Sequence, residues 1–210
     1  LEKRLDYFVE KGCKIADYGF DFIDEADENL AWLIENCYKR KMILQLHFCT
    51  FRNVNAKMYE MCGKDSGFDI MRGTIDTDAL VKIFDRENMR LGGLPKIVVY
   101  PLNDYDLRAL GALTGAFPQV KLGAAWWFND TVSGIKRQLE TAAEYSALGT
   151  QYGMLTDSRS FSSYVRFDFY RRILSSFIGE KVEKGEYDEN AAITLAKKIA
   201  YENIKNALAV

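Results

Sequence analysis

Five short apolar stretches, each followed by a polar loop and then by sequence with helical spacing, restrict this chain to very few folds. They lie at residues 13–16, 42–47 (MILQLH), 96–102 (KIVVYPL), 121–127 (KLGAAWW) and 152–156 (YGMLT). Each has strand length, and the near-continuous apolarity of the second, third and fourth predicts burial on both faces, as in a parallel sheet. Residues 1–11, 29–40, 78–88, 105–114, 132–147 and 167–177 carry apolar side chains at three- and four-residue spacings and predict helices, with a further Ala-, Ile- and Lys-rich helix over 188–208. Gly12, Gly92-Gly93 and Gly149 fall where those helices should end. Such alternation predicts an α/β chain with right-handed crossovers.

The chain has 210 residues, 48% of them hydrophobic, which supports one domain over 1–210 with a sizeable core and argues against disorder. A net charge of −2 gives no general attraction to nucleic acid, and Lys39-Arg40-Lys41 reads as a solvated helix end. No run approaches the roughly 18 apolar residues of a membrane span, and no basic-then-apolar leader opens the sequence. Cys13, Cys37, Cys49 and Cys62 form no C-x-x-C pair and accompany a single histidine, so reduced thiols in a cytoplasmic protein are expected rather than a zinc finger or a disulfide framework. The first residue is Leu, which raises the expectation of a fragment.

Polar residues follow each expected strand: Asp17-Tyr18; His47 with Arg52 and Asn53; Asn103-Asp104; Asn129-Asp130; and Asp157 with Arg159. In barrels and in open doubly wound sheets the carboxyl ends of the strands carry the site, so this convergence favours a functional edge. An open sheet binding a nucleotide should show a Gly-rich phosphate turn; neither G-x-G-x-x-G nor a Walker sequence occurs, and no nucleotide cofactor is expected. The stretch TDSR at 156–159 admits two accounts. Asp157 or Ser158 could cap a following helix, or a strand end could present a carboxylate and a guanidinium to one place.

Several blocks, in order, resemble the uronate (glucuronate) isomerases of the amidohydrolase superfamily: QLHFCTFRNVN at 45–55, GKDSGFD at 63–69, LPKIVVYPLN at 94–103, KLGAAWWFND at 121–130 and GMLTDSRSF at 153–161. The resemblance implies a (β/α)8 TIM barrel, of which the chain would hold the last five strand–helix units and a C-terminal helix. It implies interconversion of D-glucuronate and D-fructuronate, and of D-galacturonate and D-tagaturonate, with a hexuronate as substrate. By the same resemblance Asp157 and Arg159 are expected to be catalytic, with Asp157 also a metal ligand for zinc or another divalent ion. Arg52 would contact the substrate carboxylate with its planar fork. His47, either a ligand or a residue behind one, and Trp126, against the sugar, would complete the substrate site. Tyr164 and Arg166 are expected to be structural.

The chain departs from the family in lacking its His-x-His strand, in Tyr18 where relatives usually carry histidine, and in Phe167-Asp168 where they usually carry His-Glu. Five strands cannot close a barrel, so a homo-oligomer or a missing N-terminal segment is expected to cover the open edge. The competing expectation is a non-catalytic module that self-associates or docks on a partner.

Overall fold

Strands whose every residue must be dry need helices on their faces, and the first half of the chain supplies both. The computed structural model describes residues 1–20, 22–158 and 160–208, which form two compact units, Leu1–Asp106 and Leu107–Val210. In the first unit β1 (Ile15–Phe20), β2 (Ile43–Phe48) and β5 (Ile97–Pro101) run parallel in the order β1-β2-β5. All of β5 is buried, as are Ile43, Leu44, Leu46 and Phe48 of β2, matching the expected burial on both faces. Strand β1 is only half-buried in alternation, as an edge strand should be.

Helix α1 (Glu2–Glu10) precedes the sheet and buries none of its residues. Helices α2 (Glu28–Arg40) and α4 (Thr77–Leu91) pack together, placing Leu30, Ile34, Leu80, Ile83 and Phe84 out of water. Each such full burial contributes roughly 1.5–3 kcal/mol. Both helices start on an aspartate: Asp27 accepts from the Leu30 amide and Asp76 from the Ala79 amide. The buried Glu87 carboxylate receives Arg86 Nε at 3.0 Å and Arg90 Nε at 2.8 Å, and Arg90 also reaches Glu35 on α2 at 2.8 Å. Helix α4 ends at Gly92 in the left-handed region, as the sequence predicts.

Between β2 and α4 lies an element that periodicity does not reveal. Two-residue strands β3 (Thr50–Phe51) and β4 (Ile70–Met71) pair antiparallel around α3 (Ala56–Cys62).

In the second unit α5 (Leu107–Ala116), β6 (Val120–Leu122), α6 (Val132–Tyr145), α7 (Val165–Glu183), α8 (Glu189–Lys197) and α9 (Asn203–Leu208) follow in sequence. Ile135 and Leu139 of α6 pack with Tyr170, Ile173, Leu174, Phe177 and Ile178 of α7, and Ala192 and Ile199 close the cluster. The tail expected as one helix over 188–208 is interrupted by a π-helical turn, Lys198–Glu202. Asn203 Nδ2 then donates to the carbonyls of Gly149 and Gln151, both at 2.8 Å.

The expected strand over 152–156 is absent: these residues form no ladder. Gly153 has φ +73, which breaks extended backbone, and a Cβ there would stand 2.6 Å from the Ile199 carbonyl oxygen. The fourth expected strand shrinks to Val120–Leu122, and Trp126 and Trp127 lie beyond it at the entry to a 3-10 turn, Trp127–Asn129.

Candidate active site

The carboxyl ends of the parallel strands carry the first cluster. Main-chain register aligns Gly19, His47 and Tyr100 across β1, β2 and β5. His47 stacks on the Tyr100 ring at 4.6 Å with an interplanar angle of 9°, and its Nδ1 lies 2.7 Å from Asp17 Oδ1. A carboxylate on Nδ1 orients the imidazole and favours the tautomer whose proton faces it. The sequence shows Asp17 among the polar residues near strand ends, but only the parallel pairing of β1 with β2 makes it the partner of His47. Burial, with the Asp27 carboxylate adding to it, holds the Tyr18 phenol above its usual range. Tyr18 is therefore a neutral donor near neutral pH.

Arg52 sits just past β3 and is more than half exposed, with Nη1 3.6 Å from Asp65 and 3.4 Å from Asp69. Asp69 also accepts the Asn53 amide at 2.7 Å. Asn53 and Asp65 both adopt positive φ, 56° and 59°, which costs little for these two residue types. A substrate carboxylate at Arg52 would compete with these two aspartates.

In the second unit Trp126 is buried at 4% exposure, so most of its ring serves the core. Trp127 is the exposed member of the pair, with φ +51 and its ring stacked on Phe128 at 5.1 Å. Asp157 presents an exposed carboxylate from φ +43. The carbonyl before it, on Thr156, accepts Arg166 Nη1 at 2.8 Å, and Arg166 also pairs with the buried Asp130 carboxylate. The second Asp130 oxygen is buried and has no hydrogen-bond partner among the described residues. Neither Asp157 nor Ser158 caps the next helix. Ser160 does so, accepting the Ser162 amide ahead of a 3-10 turn that leads into α7. Arg159 lies outside the described residues. The sequence suggests structural duty for Arg166, but not that the duty falls on the Asp157 turn.

A metal finds little purchase in this donor set. Among the described residues no group of three His, Cys, Asp or Glu side chains could hold an ion, whereas a catalytic zinc needs about three protein ligands. Asp17 with His47 is a pair, short of that number.

The four thiols divide by exposure: Cys13 and Cys62 are exposed, Cys37 and Cys49 buried. Burial raises Cys37 to about 11, and burial together with the Asp106 contact pushes Cys49 higher still. Titration with an aromatic disulfide reagent at pH 8 is expected to modify Cys13 and Cys62 in the native chain and the other two only after denaturation. Prompt reaction of all four would show that the interior thiols are not held as described.

Parallel strands, helical crossovers and polar groups at the strand ends define the class: an α/β chain of the TIM-barrel type, holding part of such a barrel. The family model for glucuronate isomerase matches residues 26–208, and the chain belongs to that family. It is 34% identical over 247 residues to the uronate isomerase of Serratia proteamaculans and 36% identical over 248 to that of Staphylococcus haemolyticus, covering 100% and 98% of this chain. The chain spans about half the length of these relatives, 52% of each. Among solved structures, uronate isomerase from Thermotoga maritima superposes with a TM-score of 0.90 at 27% identity, covering 99% of this chain and 52% of that one. Glucuronate isomerase from Caulobacter crescentus gives 0.89 at 26%, covering 99% and 49%. No described helix is long and apolar enough to cross a membrane.

Proposed function

We propose that this chain forms, as one domain, the C-terminal part of a cytoplasmic uronate isomerase barrel that interconverts D-glucuronate with D-fructuronate, and D-galacturonate with D-tagaturonate. The family match over residues 26–208 carries the reading. In such a reaction a base removes the C2 proton of the aldose while the C1 carbonyl oxygen gains a proton, giving an enediol. The O2 proton then leaves as C1 is protonated, and the ketose forms. Asp157 is assigned the carbon-bound proton, and Arg159 the developing oxyanion. Arg52 holds the uronate carboxylate, His47 a sugar hydroxyl, and Trp126 backs the sugar. Support for Asp157 comes from its exposed carboxylate on a turn whose preceding carbonyl is fixed by Arg166. A divalent ion, if used, would need ligands beyond the described residues.

The test is proton NMR of D-glucuronate incubated with the chain, with and without Zn²⁺. Growth of fructuronate signals above a no-protein control supports the reading. A cooperatively melting chain that produces none is a folded remnant that needs further strands or a partner for turnover; the second reading is a non-catalytic module that associates with itself or a partner. The half-buried edge strand β1 and the exposed α1 favour that alternative. It predicts a concentration-dependent oligomer in light scattering.

A further inference from the structure

Residues 49–75 leave the sheet after β2 and return just before α4, carrying Arg52 with them. Beyond the buried Cys49 at its start, little apolar burial holds this excursion: α3 buries none of its residues, and Phe51, Val54, Met58, Tyr59, Met61, Ile70 and Met71 are all exposed. Its two ends are instead tied to one another and to the turn after β5. The Arg72 amide donates to the Cys49 carbonyl at 2.7 Å, joining exit to entry. Asn103 and Asp106, at 2% and 3% exposure, then hold both ends. Asn103 Nδ2 donates to the carbonyls of Arg72 and Gly73 at 3.2 and 3.1 Å, while its Oδ1 accepts the Asp106 amide at 3.0 Å. Asp106 Oδ2 accepts the Ile75 amide and the Cys49 thiol, each at 3.1 Å. Cys49 keeps its proton for that bond, since its surroundings oppose ionisation, and its φ of +67 fixes the direction in which β3 departs.

We propose that Asn103 and Asp106 are positioning residues that set the excursion, and through it the Arg52 guanidinium, at the carboxyl end of β2; the link to substrate rests on Arg52 binding the uronate carboxylate. Buried polar groups of this kind give direction because every donor and acceptor has one satisfied arrangement.

The test compares Asn103→Asp, Asp106→Ala and Asp106→Asn by amide exchange with mass spectrometry, alongside NMR titration with D-glucuronate. Asn103→Asp sets a carboxylate against two carbonyls, and Asp106→Ala removes both acceptor contacts. Each should speed exchange across residues 50–72 by roughly tenfold or more while β1, β2 and β5 stay protected. Asp106→Asn keeps an acceptor of the same shape and should restore most of the protection. Glucuronate affinity should fall and recover in parallel. Unchanged protection over 50–72 in Asp106→Ala overturns the inference, as does equal loss in β2 and β5, which would mean that these residues hold the sheet. If wild type binds D-glucuronate and Asp106→Ala binds it equally well despite a loosened excursion, the link to Arg52 fails and the isomerase reading stands. If wild type binds none, the substrate reading fails, while selective loosening still supports the positioning role.

Discussion

Replacing Asp157 with Asn should reduce glucuronate turnover by about 10³-fold, within the range that a positioned acid or base contributes, and leave the fold unchanged. Asn is the informative choice because the residue stands at φ +43. Asn tolerates the left-handed region as Asp does, whereas Ala would add backbone strain of about 1–2 kcal/mol and confuse two effects. The side chain is exposed, so losing its charge should shift stability by no more than about 0.5 kcal/mol. Rates and thermal melts of the same preparations decide the matter. Wild-type turnover in Asp157→Asn would remove this residue from the chemistry, and a lowered melting temperature would move it into the scaffold.

Replacing Arg166 with Met should destabilise the chain by about 3 kcal/mol, because it strands a charge rather than deleting a pair. The Asp130 carboxylate is 5% exposed and faces Arg166, and its other oxygen has no hydrogen-bond partner among the described residues. Arg166→Lys keeps the charge but not the forked donor that serves both Asp130 and the Thr156 carbonyl, so it should recover only part of the loss. Midpoints of urea unfolding report the three proteins on one scale. Wild-type stability for Arg166→Met would mean that Asp130 is solvated or neutral in the folded chain.

The helices were the most legible part of this molecule, because apolar residues at three- and four-residue spacings survive any tertiary context. The runs at 43–48 and 97–101 were equally plain, since a strand covered on both faces has no room for polar residues. The run at 152–156 looked the same and is not a strand. Periodicity does not report a glycine at positive φ wedged against a carbonyl. The β3–β4 pair escaped because two residues have no period. For the proposed site, the polar residues after the expected strands already include His47, Arg52 and Asp157 and the resemblance adds Trp126, while the contacts of these residues come from pairings no local pattern encodes. Asp17 reaches His47 only across a parallel ladder, and Arg52 finds Asp65 and Asp69 across an excursion of unrelated composition.

The π-helical turn at Lys198–Glu202 gives the C-terminal tail a rotational phase. A wide turn of this kind is the equivalent of one residue inserted into an α-helix, and each residue advances the direction of a side chain by about 100°. Asn203 faces the Gly149 and Gln151 carbonyls because that extra residue is present. Deleting any one of the five would tighten the turn to ordinary α-helix and swing everything after it by more than a quarter of a circle. The tail therefore works as a key cut to length: its exposed side chains could change, but its residue count between Ile199 and Asn203 could not.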